Sequence, residues 1–388
     1  MRKGNALQHL WRDHVDERLA LEAREFTREH VAPVADALDR DDRYPLDLVR
    51  LTAERGWNSM TLDPRYGGEG RPMTELLAVL EELSVASAIL GISLITIFQS
   101  QRCIELYGEE SLKERYLPRY AGGLPASFAL TEDGHGSDIR TLDTKAHRTD
   151  KGWVLNGEKA FITSGAAAEL FVVLAETDVG VSTFAVTKDT PGVSSYQGHE
   201  AETFGLRNGP HVNLVLEDVE VPADHLIGTE GRGLKQVMVT LANSRTLAAG
   251  ISLGIARAAF EGALKYVDTR SAFGTKVLDF QGIQWYFAEL AAQIDATRLL
   301  TYEAARDLDA GRDIARSSSS AKLLAASLAT KVASTAVQVC GAHGTRETQP
   351  FGRYLRDAKA YEVAGGSAEV LKNTVAKSLV KAVRVEDR

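Results

Sequence analysis

The stretch Phe128-Ala-Leu-Thr-Glu-Asp-Gly-His-Gly-Ser-Asp138 decides how this chain reads. Ala126 to Thr131 has the length and composition of a short strand that ends on a hydroxyl. Gly134, Gly136 and Ser137 then make a turn whose free backbone N–H groups suit an anion. Downstream the short strands continue: Lys145 to His147, Trp153 to Leu155, Glu169 to Ala175, Ser182 to Thr187 and His211 to Val221. Gly, Asp and Pro sit between them, the punctuation of antiparallel β structure.

Outward from this β segment the period changes to that of helices. On the N-terminal side, Leu10 to Ala32 carries Val15, Leu19, Ala23 and Phe26 at helical spacing. Asp47 to Arg55 is a short helix stopped by Gly56. Tyr66 to Gly70 is a loop, Met73 to Tyr107 reads as two apolar helices split near Gly91, and Leu112 to Tyr120 follows. On the C-terminal side, Leu234 to Thr269, Gln281 to Ala310 and Ser317 to Cys340 each keep an apolar stripe. The Ser317 to Ser320 cluster reads as cap and loop, and Ala368 to Val383 as a last helix. The expected division is residues 1–125 helical, 126–234 β, and 235–388 a helical bundle, with the β layer between the helical units.

Composition narrows the function. The chain has 388 residues, enough for two or three structural units, and a formal net charge of -8. That balance argues against broad nucleic-acid binding, which needs a basic face. The charged N-terminal stretch is unlike a secretory segment, and no apolar run reaches the roughly 20 residues of a membrane span. Cys103 and Cys340 have no metal spacing. A cytoplasmic setting without nucleic acid, membrane or metal is expected. No Gly-x-Gly-x-x-Gly follows a strand; Gly228 to Gly233 sits in a β-to-helix joint and reads as a loop.

Six segments in order resemble the acyl-CoA dehydrogenase family: Phe128 to Asp138, Asn156 to Gly165, Asp218 to Pro222 with Gly228 to Gly233, Arg270 to Gly274 with Phe280-Gln281, Ala336 to Gly341, and Arg356 to Lys359. The resemblance implies an α+β fold with an N-terminal helical domain, a middle β-barrel domain and a C-terminal four-helix bundle. It also implies FAD. Thr131, Phe161 and Thr163 would face the flavin, Phe128 and Leu130 would also bind the cofactor, and Ser137 would lie near the pyrophosphate and the substrate. Arg270, Phe273 and Gln281, with Gln338 and Gly341, resemble the set by which one subunit grips the ADP half of its neighbour's FAD. Ser367 and Glu369 stand at positions that touch the cofactor. A homodimer or homotetramer follows. The implied reaction is oxidation of an acyl thioester, carried on CoA or an acyl carrier protein, with hydride passing to flavin N5.

The chain departs from the family at the catalytic base. Many members carry Glu at the position of Gly365; others carry it immediately before the Arg that resembles Arg245, a substrate-binding position. Here that neighbour is Ser244. Glu362, one helical turn before Gly365, is the nearest acid in sequence, and on exposure alone it reads as a surface carboxylate. Three readings remain open: a dehydrogenase with its base elsewhere, one acting on an unusual or carrier-bound acyl group, and either a catalytically silent partner subunit or a flavin monooxygenase on the same fold.

Overall fold

A computed structural model describes residues 15–197, 203–207, 209 and 211–386. The helices are α1 (Glu17–Phe26), α2 (Ala35–Arg40), α3 (Leu46–Glu54), α4 (Met73–Ser84), α5 (Ala88–Tyr107) and α6 (Glu110–Ala121), then α7 (Gly233–Thr269), α8 (Gln281–Asp309), α9 (Ala315–Cys340), α10 (Phe351–Val363) and α11 (Ala368–Glu386). Between the two helical groups run β1 (Ala126–Ala129), β2 (Lys145–Thr149), β3 (Gly152–Ile162), β4 (Leu170–Thr177), β5 (Gly180–Thr187), β6 (Val193–Tyr196) and β7 (Val212–Pro222). A small hairpin, β8 (Ser271–Ala272) and β9 (Thr275–Lys276), follows α7. The start of the expected first helix, residues 10–14, lies outside the described residues.

Several expectations are corrected. The sheet, ordered β1-β4-β2-β3-β7-β6 with β5 also on β4, is not wholly antiparallel. Strand β1 runs parallel to β4, and β2 meets β4 in parallel at Lys145. Parallel neighbours need a long connection, and the β2–β3 hairpin supplies part of it. The β layer does not separate the helical units. α4 and α5 pack directly on α7, and one apolar core runs from Leu19 through Leu77 and Leu247 to Val332, while the sheet keeps its own core around Trp153, Phe171 and Phe184.

The break between α4 and α5 falls at Val85 to Ser87, and Gly91 lies inside α5. A β carbon on Gly91 would come 2.4 Å from Ser84 Oγ and 3.0 Å from Ile251, so its smallness serves close helix packing rather than a turn. Ser317 to Ser320 are helical, and Ser318 and Ser319 are buried within α9. By length and composition, α7 and the stretch Ala315–His343 would suit a membrane span; the most apolar part of α7 is 83% buried inside the protein, as befits the bundle's central helix.

Buried ion pairs tie the two helical groups. Glu81 of α4 accepts from Arg257 of α7 at 2.9 Å and from Arg298 of α8 at 2.9 Å. Its neighbour Glu82 accepts from Arg257 and from Arg24 of α1. The N-terminus of α4 has Pro72 at its cap and borrows one from the end of α8, where Asp309 accepts from the Met73 and Thr74 amides.

Burial alone would raise the Glu82 carboxyl, but Arg257 and Arg24 outweigh it and hold the group down to about 2. A depressed folded-state value stabilises the protein above the ordinary carboxylate range near 4.5, and that contribution is lost as pH falls toward 2. On the order of 3 kcal/mol is expected to disappear across that window. Urea unfolding of the wild type and Glu82→Gln should therefore converge in acid; a stability gap that stays constant from pH 6 to pH 3 contradicts this.

Candidate active site

The turn after β1 and the end of β3 are bound together. Ala160 N–H donates to the Thr131 carbonyl at 2.8 Å, and Ser127 Oγ donates to the Thr163 carbonyl at 2.7 Å. Beneath them Lys159, fully buried, donates to Glu132 at 2.7 Å and to the Leu130 carbonyl at 3.3 Å. Glu132 also accepts from the Asp143 and Thr144 amides. Burial opposes its charge, but Lys159 and these amides hold its carboxyl down to about 2. This ionic staple fixes Phe128, Leu130, Thr131, Phe161 and Thr163 as one group. Glu132, His135 and Asp143 bring their side-chain atoms within 4.8 Å of one another. Glu132 already binds Lys159 and two backbone amides, however, and His135, half-buried, lies 3.5 Å from Asp143.

Phe161 reaches this group by a route that strand alternation did not foresee. The β3–β7 register slips between Lys159 and Ile162, and Phe161 takes φ +56° in the bulge. An aromatic residue in left-handed backbone costs on the order of 1–2 kcal/mol. Its ring is nonetheless 46% exposed. Strain that presents an apolar ring outward fits a planar aromatic ligand stacked on it. Phe128 is buried in β1 behind the group, and Leu130 and Thr131 are half-buried.

Thr163 Oγ1 lies 3.0 Å from His211 Nδ1. Burial pushes the His211 imidazole down to about 4, so it is neutral at physiological pH. The shared hydrogen bond fixes the hydroxyl's rotamer. Sequence reading missed His211 because nothing in its neighbours marks it; only the pairing of Ile162 with Val212 brings it across. Ser137 is exposed in the turn, and a β carbon on Gly134 or Gly136 would meet nothing within 4 Å, so the turn is open to approach at both glycines.

The second set gathers at one end of the bundle. Arg270 ends α7 and leads into the β8–β9 hairpin, with Phe273 at its tip and Gln281 just beyond. Gln338 and Gly341 close α9. Stacking of Tyr266 on His343, centroids 4.1 Å apart, brings these two ends together. Arg270, Phe273, Gln281, Gln338 and Gly341 are all exposed, and Phe273 is 97% exposed. A ring so placed, at the same end as an exposed guanidinium and amides, suits a nucleotide bound from outside the chain. Ser367 caps α11, and Glu369 is exposed in that helix's first turn.

Neither position where a base was sought carries an acid. Ser244 is buried, accepts from Gln99 at 2.9 Å and donates to the Leu241 carbonyl. Gly365 is exposed with φ +71°. Arg245 is buried behind Gly366. The Glu362 carboxylate accepts from Thr330 at 2.9 Å and from Lys359 at 3.1 Å.

The whole architecture has known counterparts. Residues 14–124, 127–219 and 231–380 match the N-terminal, middle and C-terminal domain models of acyl-CoA dehydrogenase. The mitochondrial short/branched chain specific acyl-CoA dehydrogenase of Bos taurus is 33% identical, covering 92% of this chain and 83% of its own length. Butyryl-CoA dehydrogenase from Megasphaera elsdenii superposes with a TM-score of 0.91 at 32% identity, covering 94% of this chain and 97% of that one. A glutaryl-CoA dehydrogenase from Mycobacterium smegmatis in complex with FADH2 superposes at 0.88 and 26% identity, covering 93% of each. With three domain models matching in order and close relatives along nearly its full length, this chain belongs to the acyl-CoA dehydrogenase family.

Proposed function

We propose that this chain dehydrogenates an acyl-CoA thioester with FAD, held in an assembly of at least two copies. The observation that carries the reading is Phe161, an outward-facing ring kept in strained backbone beside the fixed Thr163 hydroxyl. Thr131, Phe161 and Thr163 would hold the flavin ring, and Arg270, Phe273, Gln281 and Gln338 of a second copy its nucleotide tail. FAD, when bound, supplies the acceptor for the hydride lost from the acyl β carbon. The chain's own residues seat the ring, fix one hydroxyl against it and close the site from water. Anaerobic addition of short acyl-CoA thioesters to the yellow purified protein should bleach the flavin. A colourless chain, or a flavin that no thioester bleaches, overturns the reading and favours the silent-subunit alternative.

CoA rather than a carrier protein is the favoured carrier, since every relative described above is named for a CoA thioester or for acyl-CoA. Glu362 is not the proton acceptor in this reading, because its carboxylate is committed to Thr330 and Lys359 on the α9 side of α10. Glu362→Gln is expected to leave the rate of flavin bleaching unchanged in stopped-flow absorbance. A large drop, of the 10²-fold or more typical of a lost general base, would return Glu362 to that role.

A further inference from the structure

A buried cation beside the Gly365–Gly366 loop has no carboxylate partner among the described residues. Arg245, on α7, is only 3% exposed. Its Nη2 and Nε lie 3.6 and 3.8 Å from where a β carbon on Gly366 would stand. Nε is enclosed without a hydrogen-bond partner among the described residues. Burial is the one influence depressing its protonation, and no carboxylate acts in the other direction.

Lys322, on α9, is a second buried cation beneath the same loop. It donates to the Glu362 and Gly366 carbonyls, each at 2.9 Å. Those two partners are neutral; burial and the Arg245 guanidinium oppose its charge, while the nearby Glu362 carboxylate favours it. In the same loop a β carbon on Gly365 would meet nothing within 4 Å. Two cations therefore back a loop that opens, at Gly365, onto free space.

An uncompensated buried cation is strongly unfavourable. Its retention makes sense where a ligand brings the missing anion. A plain hydrocarbon acyl chain would leave the guanidinium without a partner and lose its hydration. A carboxylate would accept the fork of N–H groups that Arg245 presents.

We infer that Arg245 is an anion subsite for the acyl group, and that the thioester this chain takes carries a second carboxylate, which pairs with Arg245 behind the Gly365–Gly366 loop. This inference rests on the acyl-CoA reading above and adds the substrate class. It also accounts for a site with neither usual carboxylate: an acid at Gly365 or Ser244 would compete for the same guanidinium and repel the ligand.

The test uses FAD-loaded protein reduced beforehand, so that no turnover occurs, and titration calorimetry with two four-carbon ligands, succinyl-CoA and butyryl-CoA. A charge-assisted pair of this kind should make succinyl-CoA bind about 10- to 100-fold tighter. Arg245→Met should abolish that margin, and Arg245→Lys should keep part of it. Arg245→Met should also melt higher than the wild type, because it removes an unpaired buried charge. Equal binding of the two ligands to the wild type, or a margin that survives in Arg245→Met, overturns the inference while leaving the acyl-CoA reading intact. If neither thioester binds, both fall.

Discussion

Arg257→Met is expected to lower the unfolding free energy by about 3–5 kcal/mol, a large share of the stability of a typical protein. Arg257 is 3% exposed and is the shared donor for two buried carboxylates on adjacent residues. Methionine fills similar space, so the loss is not mainly a cavity. It leaves Glu81 with Arg298 and Glu82 with Arg24, and Arg24 is the more exposed of those donors, at 36% of its side chain. Each carboxylate then keeps a single arginine, and the buried Glu82 charge relies on a partly exposed one. Because α1, α4, α7 and α8 all send a residue into this cluster, the loss should appear as a lower midpoint for the whole helical core. Denaturant unfolding of Arg257→Met, Glu82→Gln and the double variant checks the account. The double variant should recover part of the loss, since it removes the under-compensated Glu82 charge as well. A single-variant loss below about 1 kcal/mol would mean that the pair is repaid mostly by relaxation of the site.

The same cluster shows which parts of the fold the sequence could not disclose. Apolar periodicity located α7, α8 and α9 to within a few residues because their stripes are long. It passed over α10, whose buried face carries Arg353 and Asp357 among Phe351, Ala358 and Tyr361. Those charges are inward because Arg353 pairs with Asp36 and Asp357 accepts from the Leu206 amide, partners far away in sequence. Gly91 misled for the related reason that a glycine needed for close helix approach looks, in one dimension, like a glycine needed for a turn.

The candidate site divides in the same way. Thr131, Phe161 and Thr163 were legible through a resemblance that fixes residue types in order. The bulge that turns Phe161 outward was not, because a register slip depends on β7. His211, Lys322 and the isolation of Arg245 were hidden too. Each is defined by what lies across from it rather than beside it in the chain. The absence of an acid at Gly365 and Ser244 was visible in the sequence; that the neighbouring guanidinium is left without a counter-charge among the described residues needed the packing.

Phe273→Asn is expected to weaken FAD binding about 10- to 100-fold, the worth of burying one phenyl ring, and to shift the protein toward smaller assemblies. The ring stands at the tip of a two-residue hairpin loop in which Phe273 has φ +54° and Gly274 φ +83°. That loop type favours Asn-Gly, so asparagine should keep or improve the hairpin while deleting the ring. Within its own chain Phe273 touches little; its ring meets Phe280 edge-on at 6.3 Å. A phenyl group 97% exposed on a strained turn has no local reason to be there. Its cost is recovered only if something outside the chain covers it, and Arg270, Gln281 and Gln338 at the same end of the bundle are the groups a dinucleotide's polar half would need. FAD titration followed by flavin fluorescence, with light scattering on the same samples, separates the two effects. If Phe273→Asn holds FAD and assembles as the wild type does, the hairpin is not a nucleotide grip, and the tail of the cofactor must be held by its own chain.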